Sequence, residues 1–138
     1  MKQPIQEIIQ SRILTVKTSG YPINVVDDIW VLDRSYSLNM LLVRNQIKPP
    51  MLDGFTNTLI YYVQHHSSSY TQSIFYTFIQ FIRLTSITAS VTPVSLMAFK
   101  ARYADQNEQL HRIKSFILKW FSLGYEAVSE DCVKVVKQ

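Results

Sequence analysis

Apolar residues change their spacing near Pro49-Pro50. Before the prolines they fall in short β-rich pieces: "RILTVKT" and "YPINVV" flank Ser19-Gly20, and "IWVL" follows. A Ser-Gly pair between two such pieces predicts a hairpin, with a third short strand after it. After Pro50 the repeat becomes three and four. Leu52, Phe55, Leu59, Tyr62 and Val63 make one stripe and predict a helix over 51–64, with Pro50 at its first position. Ser69 with Gln72 three residues on has the capping-box spacing and opens a second helix. Its apolar face is Ile74, Phe75, Phe78, Ile79, Phe81 and Ile82, and Gln72, Ser73, Tyr76, Gln80 and Arg83 lie opposite.

Thr92-Pro93 pairs a cap with an N1 proline and predicts a third helix over 93–103, after the loop "TSITASV". Asp105 and Glu108 repeat the cap spacing and open a fourth over 106–123, with Leu110, Ile113, Phe116, Ile117, Trp120 and Phe121 inward. Glu108, Arg112, Ser115 and Lys119 fall on the opposite side, with His111 beside them. Gly124 is placed to stop this helix, and Ser129 to cap a short last one whose first turn holds Glu130 and Asp131. The expected fold is mainly α: a four-to-five-helix bundle over 49–138, preceded by a β-rich N-terminal arm over 1–48.

Composition narrows the class. The chain has 138 residues, 47% hydrophobic and 17% charged, which suits a globular domain with a sizeable core. Three glycines leave no phosphate-cradling loop. A single cysteine, Cys132, excludes an internal disulfide and a cysteine zinc finger, and a cytoplasmic location is the simplest expectation. Two acids precede that thiol and favour a buried, unreactive role. "MKQPIQEIIQ" lacks the apolar core of a signal peptide, and no stretch reaches the ~20 apolar residues of a membrane span.

The candidate chemistry is sparse. His65 and His66 are adjacent and so point about 100° apart on a helix; no carboxylate or thiol lies within ten residues of them. They read as a helix end rather than as metal ligands. Ser67, Ser68 and Ser69 have no nucleophile-elbow context and read as caps. Asp27, Asp28 and Asp33 match no calcium loop and read as a solvated turn. No catalytic residue, metal or cofactor is expected. The charge is more informative. The chain carries +4. Between Ser67 and Lys119, the basic residues Arg83, Lys100, Arg102, Arg112, Lys114 and Lys119 face only Asp105 and Glu108, so this segment equals the whole net charge. A basic surface interleaved with Gln, Ser and Tyr suits a nucleic-acid partner.

Two stretches carry a family resemblance. "SSSYTQSIFYTFIQFIR" resembles the S-x-x-T-x-x-x-[YF] helix of core-binding domains in tyrosine-type site-specific recombinases, the phage integrase family, and "NEQLHRIKSFILKWFSLGY" resembles their later L-x-x-[IL]-[KR]-x-F-x-x-W helix. "DDIWVLDRSYSLN", "GFTNTLIYYVQHHSSSYT" and "LGYEAVSEDCVKVV" are similar to N-terminal regions of integrase-like proteins of bacterial mobile elements, so the likeness spans residues 27–138. It implies a SAM-like helical domain that clamps one side of a DNA duplex during integration or recombination, with a separate catalytic domain of the full-length protein on the other. The implied DNA-binding set is Ser69, Thr71 and Gln72, then His111, Arg112, Ser115 and Lys119; Tyr76, Arg83, Lys100 and Arg102 join it from the charge pattern. The family's His-x-x-Arg pair is missing, because Ser68, Ser69 and Lys114 stand three residues after the histidines. The chain is therefore expected to bind duplex DNA, to lack the catalytic domain, and not to cut DNA by itself. The competing expectation is a dimerisation or protein-interaction domain that pairs through the arm, Arg12 to Leu32.

Overall fold

The computed structural model describes residues 12–138; "MKQPIQEIIQ", and with it the signal-peptide reading, lies outside them. Two antiparallel hairpins come first. β1 (Ile13–Thr15) pairs with β2 (Pro22–Asn24), and β3 (Ile29–Val31) pairs with β4 (Ser37–Asn39). Each buries its central pair, Leu14 opposite Ile23 and Trp30 opposite Leu38. Gly20 takes φ +75° in the first turn, a conformation that costs a glycine little. Asp33 makes the second turn, its Oδ1 accepting from the amides of Ser35 and Tyr36. A short helix, α1 (Leu41–Arg44), follows. Its Arg44 donates to the carbonyls of Val25 and Val26 and pairs with Asp28 at 3.2 Å, tying helix to hairpins.

The bundle proper is α2 (Pro49–His65), α3 (Ser68–Thr85), α4 (Pro93–Arg102), α5 (Asn107–Ser122) and α6 (Glu130–Lys137). Phe55, Phe75, Phe78, Phe116 and Trp120 meet at its centre; the Phe55 and Phe78 rings stack at 4.6 Å. Leu14, Trp30, Leu38 and Met40 from the arm enter this same core. Thr92 caps α4 and Ser129 caps α6, as the sequence predicts, and Ser95 completes a reciprocal capping box with Thr92 that the sequence reading did not include. Cys132 is buried against the Val91 carbonyl. Among the described residues, no helix is long and apolar enough to cross a membrane.

Four local expectations are corrected. The cap of α3 is Ser67, not Ser69: Ser67 Oγ accepts from Tyr70 N, Ser68 is buried, and Ser69 is the second helical residue. Ser68 shares a hydrogen bond with Thr18 of the first hairpin turn, 50 residues away, and that contact selects among three similar serines. Ser67→Ala should therefore cost about 1 kcal/mol, and Ser69→Ala far less, in urea melts; equal losses would contradict this cap. The cap of α5 is Gln106, with no side-chain bond, rather than Asp105. Phe121 is 41% exposed instead of core. The arm contains a fourth strand and α1, which have too few apolar residues to show a period.

The two tryptophans are both fully buried but differ in one bond. Trp120 Nε1 donates to the Glu126 carbonyl at 3.2 Å, while Trp30 Nε1 has no partner among the described residues. Replacement by Phe removes the same volume at each site. Trp120→Phe also loses a hydrogen bond, whereas Trp30→Phe removes an unsatisfied N–H. The first variant should be less stable than the second by roughly 1–2 kcal/mol; the reverse order in denaturant melts would refute the assignment.

Candidate nucleic-acid interface

The end of α2, the start of α3 and the outer shoulder of α5 bring the basic and polar residues together. α2 stops because His66 turns to an extended conformation (φ −127°), and Ser67 begins α3 at once. That tight join places His65, His66 and Tyr70 beside one another. Tyr61 stacks on His65 at 4.5 Å and Tyr62 on His66 at 4.8 Å. The two imidazoles thus stack on different tyrosines, and Tyr61 also meets His66 edge-on at 5.8 Å. Among the described residues, no group of three His, Cys, Asp or Glu is placed to hold a metal ion.

α5 runs antiparallel to α2 and leans on it. Gly54 allows this approach, since its missing Cβ would run into the Trp120 indole. Farther along, the Tyr62 hydroxyl and Ser115 Oγ share a 2.7 Å hydrogen bond. Lys119 Nζ sits 4.0 Å from the centroid of Tyr61, an attractive cation–π placement. Burial pushes the Tyr62 phenol up to about 12, against the opposing effect of Ser115. It stays protonated and serves as a wall. The resulting cleft has a volume of about 330 Å³ and is lined by Tyr61, Tyr62, His66, Ser115, Leu118, Lys119 and Ser122.

The sequence-predicted residues divide into three groups. Ser69, Tyr76 and Arg83 are exposed along one side of α3, and His111 is exposed on α5. Arg112, Ser115 and Lys119 are half-buried, so their stripe lies on the shoulder of α5 against its neighbours and not opposite the core. Arg112 donates to Gln109 Oε1, which also accepts from Thr77 of α3. Three residues have structural roles instead. Thr71 is fully buried, and its hydroxyl donates to the carbonyls of Tyr62 and Ser67, so it cannot meet DNA. Gln72 does not close a capping box; its amide donates to the Ser37 carbonyl of β4. Lys100 donates to the carbonyls of Val135 and Gln138 and closes the end of α6. Arg102 is exposed and lies over the Tyr103 ring at 4.9 Å.

Sequence reasoning missed Lys17 and the two histidines as neighbours of Lys119. Lys114, counted there in the basic segment, is exposed on a different side of α5 from Arg112 and Lys119. Lys17, in the first hairpin turn, donates to the His65 carbonyl at 3.2 Å. A 48-residue separation left no signal for that contact. Among the described residues the ion pairs are Arg44–Asp28 and Lys134–Asp131, so neither neutralises Lys17, Arg112, Lys114 or Lys119. His66 registers this unbalanced field. Burial first, then the charges of Lys17, His65 and Lys119, hold its imidazole below the ordinary 6.5.

Folding favours neutral His66, so the contribution is complete above the unfolded value and is lost as pH falls through 6.5 toward the lower folded value. His66→Asn should flatten the loss of stability in this acidic window, and the His66 ring should titrate below 6.5 by NMR. A ring midpoint above 6.5 would contradict the arrangement.

No protein-family model matches the chain, and no curated protein and no solved structure matches it.

Proposed function

We propose that this chain is a DNA-binding module of an integrase or site-specific recombinase, a SAM-like core-binding domain that lays α3 and α5 against a duplex. The observation that carries the reading is a set of cations with no carboxylate partner among the described residues, Lys17, Arg112, Lys114 and Lys119, of which Lys17 and Lys119 stand close to the α2–α3 join and Arg112 shares the shoulder of α5 with Lys119. Such a surface repels itself and gains free energy when phosphates replace its counterions. The two helical stretches that resemble integrases are the same two that form it. Contacts of this type position the duplex and read little sequence. The module binds DNA and relies on a catalytic domain of its full-length protein for strand cleavage.

Gel shifts at low salt with an arbitrary duplex test the reading. The expected result is binding in the micromolar range that weakens steeply with salt, as for non-specific binders. No shift up to high micromolar protein would overturn it. One observation favours a second reading, dimerisation through the arm: Ile13, Ile29 and Val31 stay exposed on the outward faces of the hairpins. Light scattering that shows a dimer, abolished by Ile29→Lys with Val31→Lys, together with no DNA affinity, would favour that reading.

A further inference from the structure

We propose that the cleft between the end of α2 and α5 is a phosphate subsite, in which Lys17 and Lys119 grip one phosphoryl oxygen cluster and the His66 ring forms its floor. The inference rests on the DNA reading only for the source of the phosphate, a backbone phosphodiester. The subsite itself stands on the geometry.

His66 from the α2–α3 join and Lys119 from α5 line the cleft, and Lys17 of the first hairpin turn stands beside it, bonded to the His65 carbonyl. Each lysine is already oriented. Lys17 uses one donor on the His65 carbonyl, and Lys119 lies over the Tyr61 face. An ammonium has three donors, so both retain N–H groups for an anion. Neither has a carboxylate partner among the described residues. The two aromatic walls, Tyr61 and Tyr62, are themselves fixed, by stacking on His65 and His66 and by the Tyr62–Ser115 hydrogen bond. Tyr70 of α3 closes the remaining side of His66, at 5.3 Å between rings. Every charged group that acts on His66 is a cation or another imidazole. A cleft with one ammonium group in its wall, a second beside it, a ring N–H and no negative charge in its lining has one complementary class of ligand, a compact oxyanion.

The arrangement also gives the arm a role. Lys17 is held beside the cleft because the hairpin packs on the end of α2, where Thr18 and Ser68 also meet. The hairpin therefore supplies the second cation of the proposed grip.

The test follows the ring-proton NMR signals of His65 and His66 during titration with sodium phosphate at constant ionic strength, sodium chloride serving as the blank. Wild type is compared with Lys17→Gln, Lys119→Gln and the distant control Lys134→Gln, each checked for an unchanged melt. Saturable shifts of both rings are expected, with affinity about tenfold weaker in the Lys17 and Lys119 variants, the size of one charged hydrogen bond, and unchanged in the control. Rings that ignore phosphate, or equal affinity in all four proteins, would overturn the subsite. A short DNA duplex then replaces phosphate. The same ring shifts, lost in both cleft variants, assign the subsite to the DNA backbone. Phosphate binding without duplex binding keeps the subsite and overturns the DNA reading. Duplex binding that leaves the rings unmoved keeps the DNA reading and overturns the subsite.

Discussion

Reversing two charges on α5, Arg112→Glu with Lys119→Glu, should weaken duplex binding at least tenfold and flatten its salt dependence by about two units of slope. Both residues lie on the proposed face and neither forms an ion pair with an acid among the described residues. Their intramolecular contacts are minor: one hydrogen bond from Arg112 to Gln109 and one cation–π contact from Lys119 to Tyr61. Each is worth roughly 1–2 kcal/mol at most, so the variant should still fold. Fluorescence anisotropy across a salt series reads both quantities. Unchanged affinity in a folded double variant would remove α5 from the interface. Lys100→Glu is an informative contrast. It should cost stability by freeing the last carbonyls of α6, and leave DNA affinity nearly untouched.

Gly54→Ala should destabilise the fold by about 2 kcal/mol, although alanine is the better helix former. Two effects oppose each other. Mid-helix Gly→Ala gains about 1 kcal/mol from backbone entropy. Against this, the new methyl would meet the Trp120 indole, with Cε2 at 2.7 Å and Cζ2 at 2.9 Å. Trp120 is fully buried and anchored to Glu126, so it cannot swing aside. Overpacking of this kind costs about 1–3 kcal/mol, with the upper end expected against a rigid ring. A fall in Tm of roughly 5–10 °C by circular dichroism follows for a domain of this size. The contacted atoms, Nε1, Cε2 and Cζ2, belong to the indole rings, which leucine lacks. In a Trp120→Leu background the same substitution should therefore cost little or become stabilising, a coupling readable by a double-mutant cycle. A raised Tm for Gly54→Ala alone would show that α2 and α5 are not in this contact.

Gly54 also explains which parts of the site the sequence could reveal. The four long helices follow the apolar repeat within a few residues, because each buries one continuous stripe in a shared aromatic core. Thr92 and Ser129 were readable because a cap acts on amides only three residues away. The Arg112–Ser115–Lys119 stripe was visible as a stripe, but its setting was not. Helical periodicity places it opposite the core of α5 alone. The close approach at Gly54 then rolls that shoulder against α2, where Ser115 and Lys119 find Tyr62 and Tyr61. The choice among Ser67, Ser68 and Ser69 depends on Thr18, and Thr71 is claimed by the Tyr62 carbonyl. These are long-range contacts between chemically ordinary residues, and no local pattern encodes them. The histidines show the same limit. Their spacing argued against a shared ion, yet only the fold brings Lys17 and Lys119 to their sides.

On the proposed reading, α3 and the outer shoulder of α5 meet a DNA duplex. Mapping backbone amide shifts by NMR as a short duplex is added tests it most directly. Ser69, Tyr76, His111, Arg112, Lys114 and Lys119 should shift, while the exposed faces of α4 and α6 stay still. Shifts centred on Ile13, Ile29 and Val31, or none at any duplex concentration, would contradict the account.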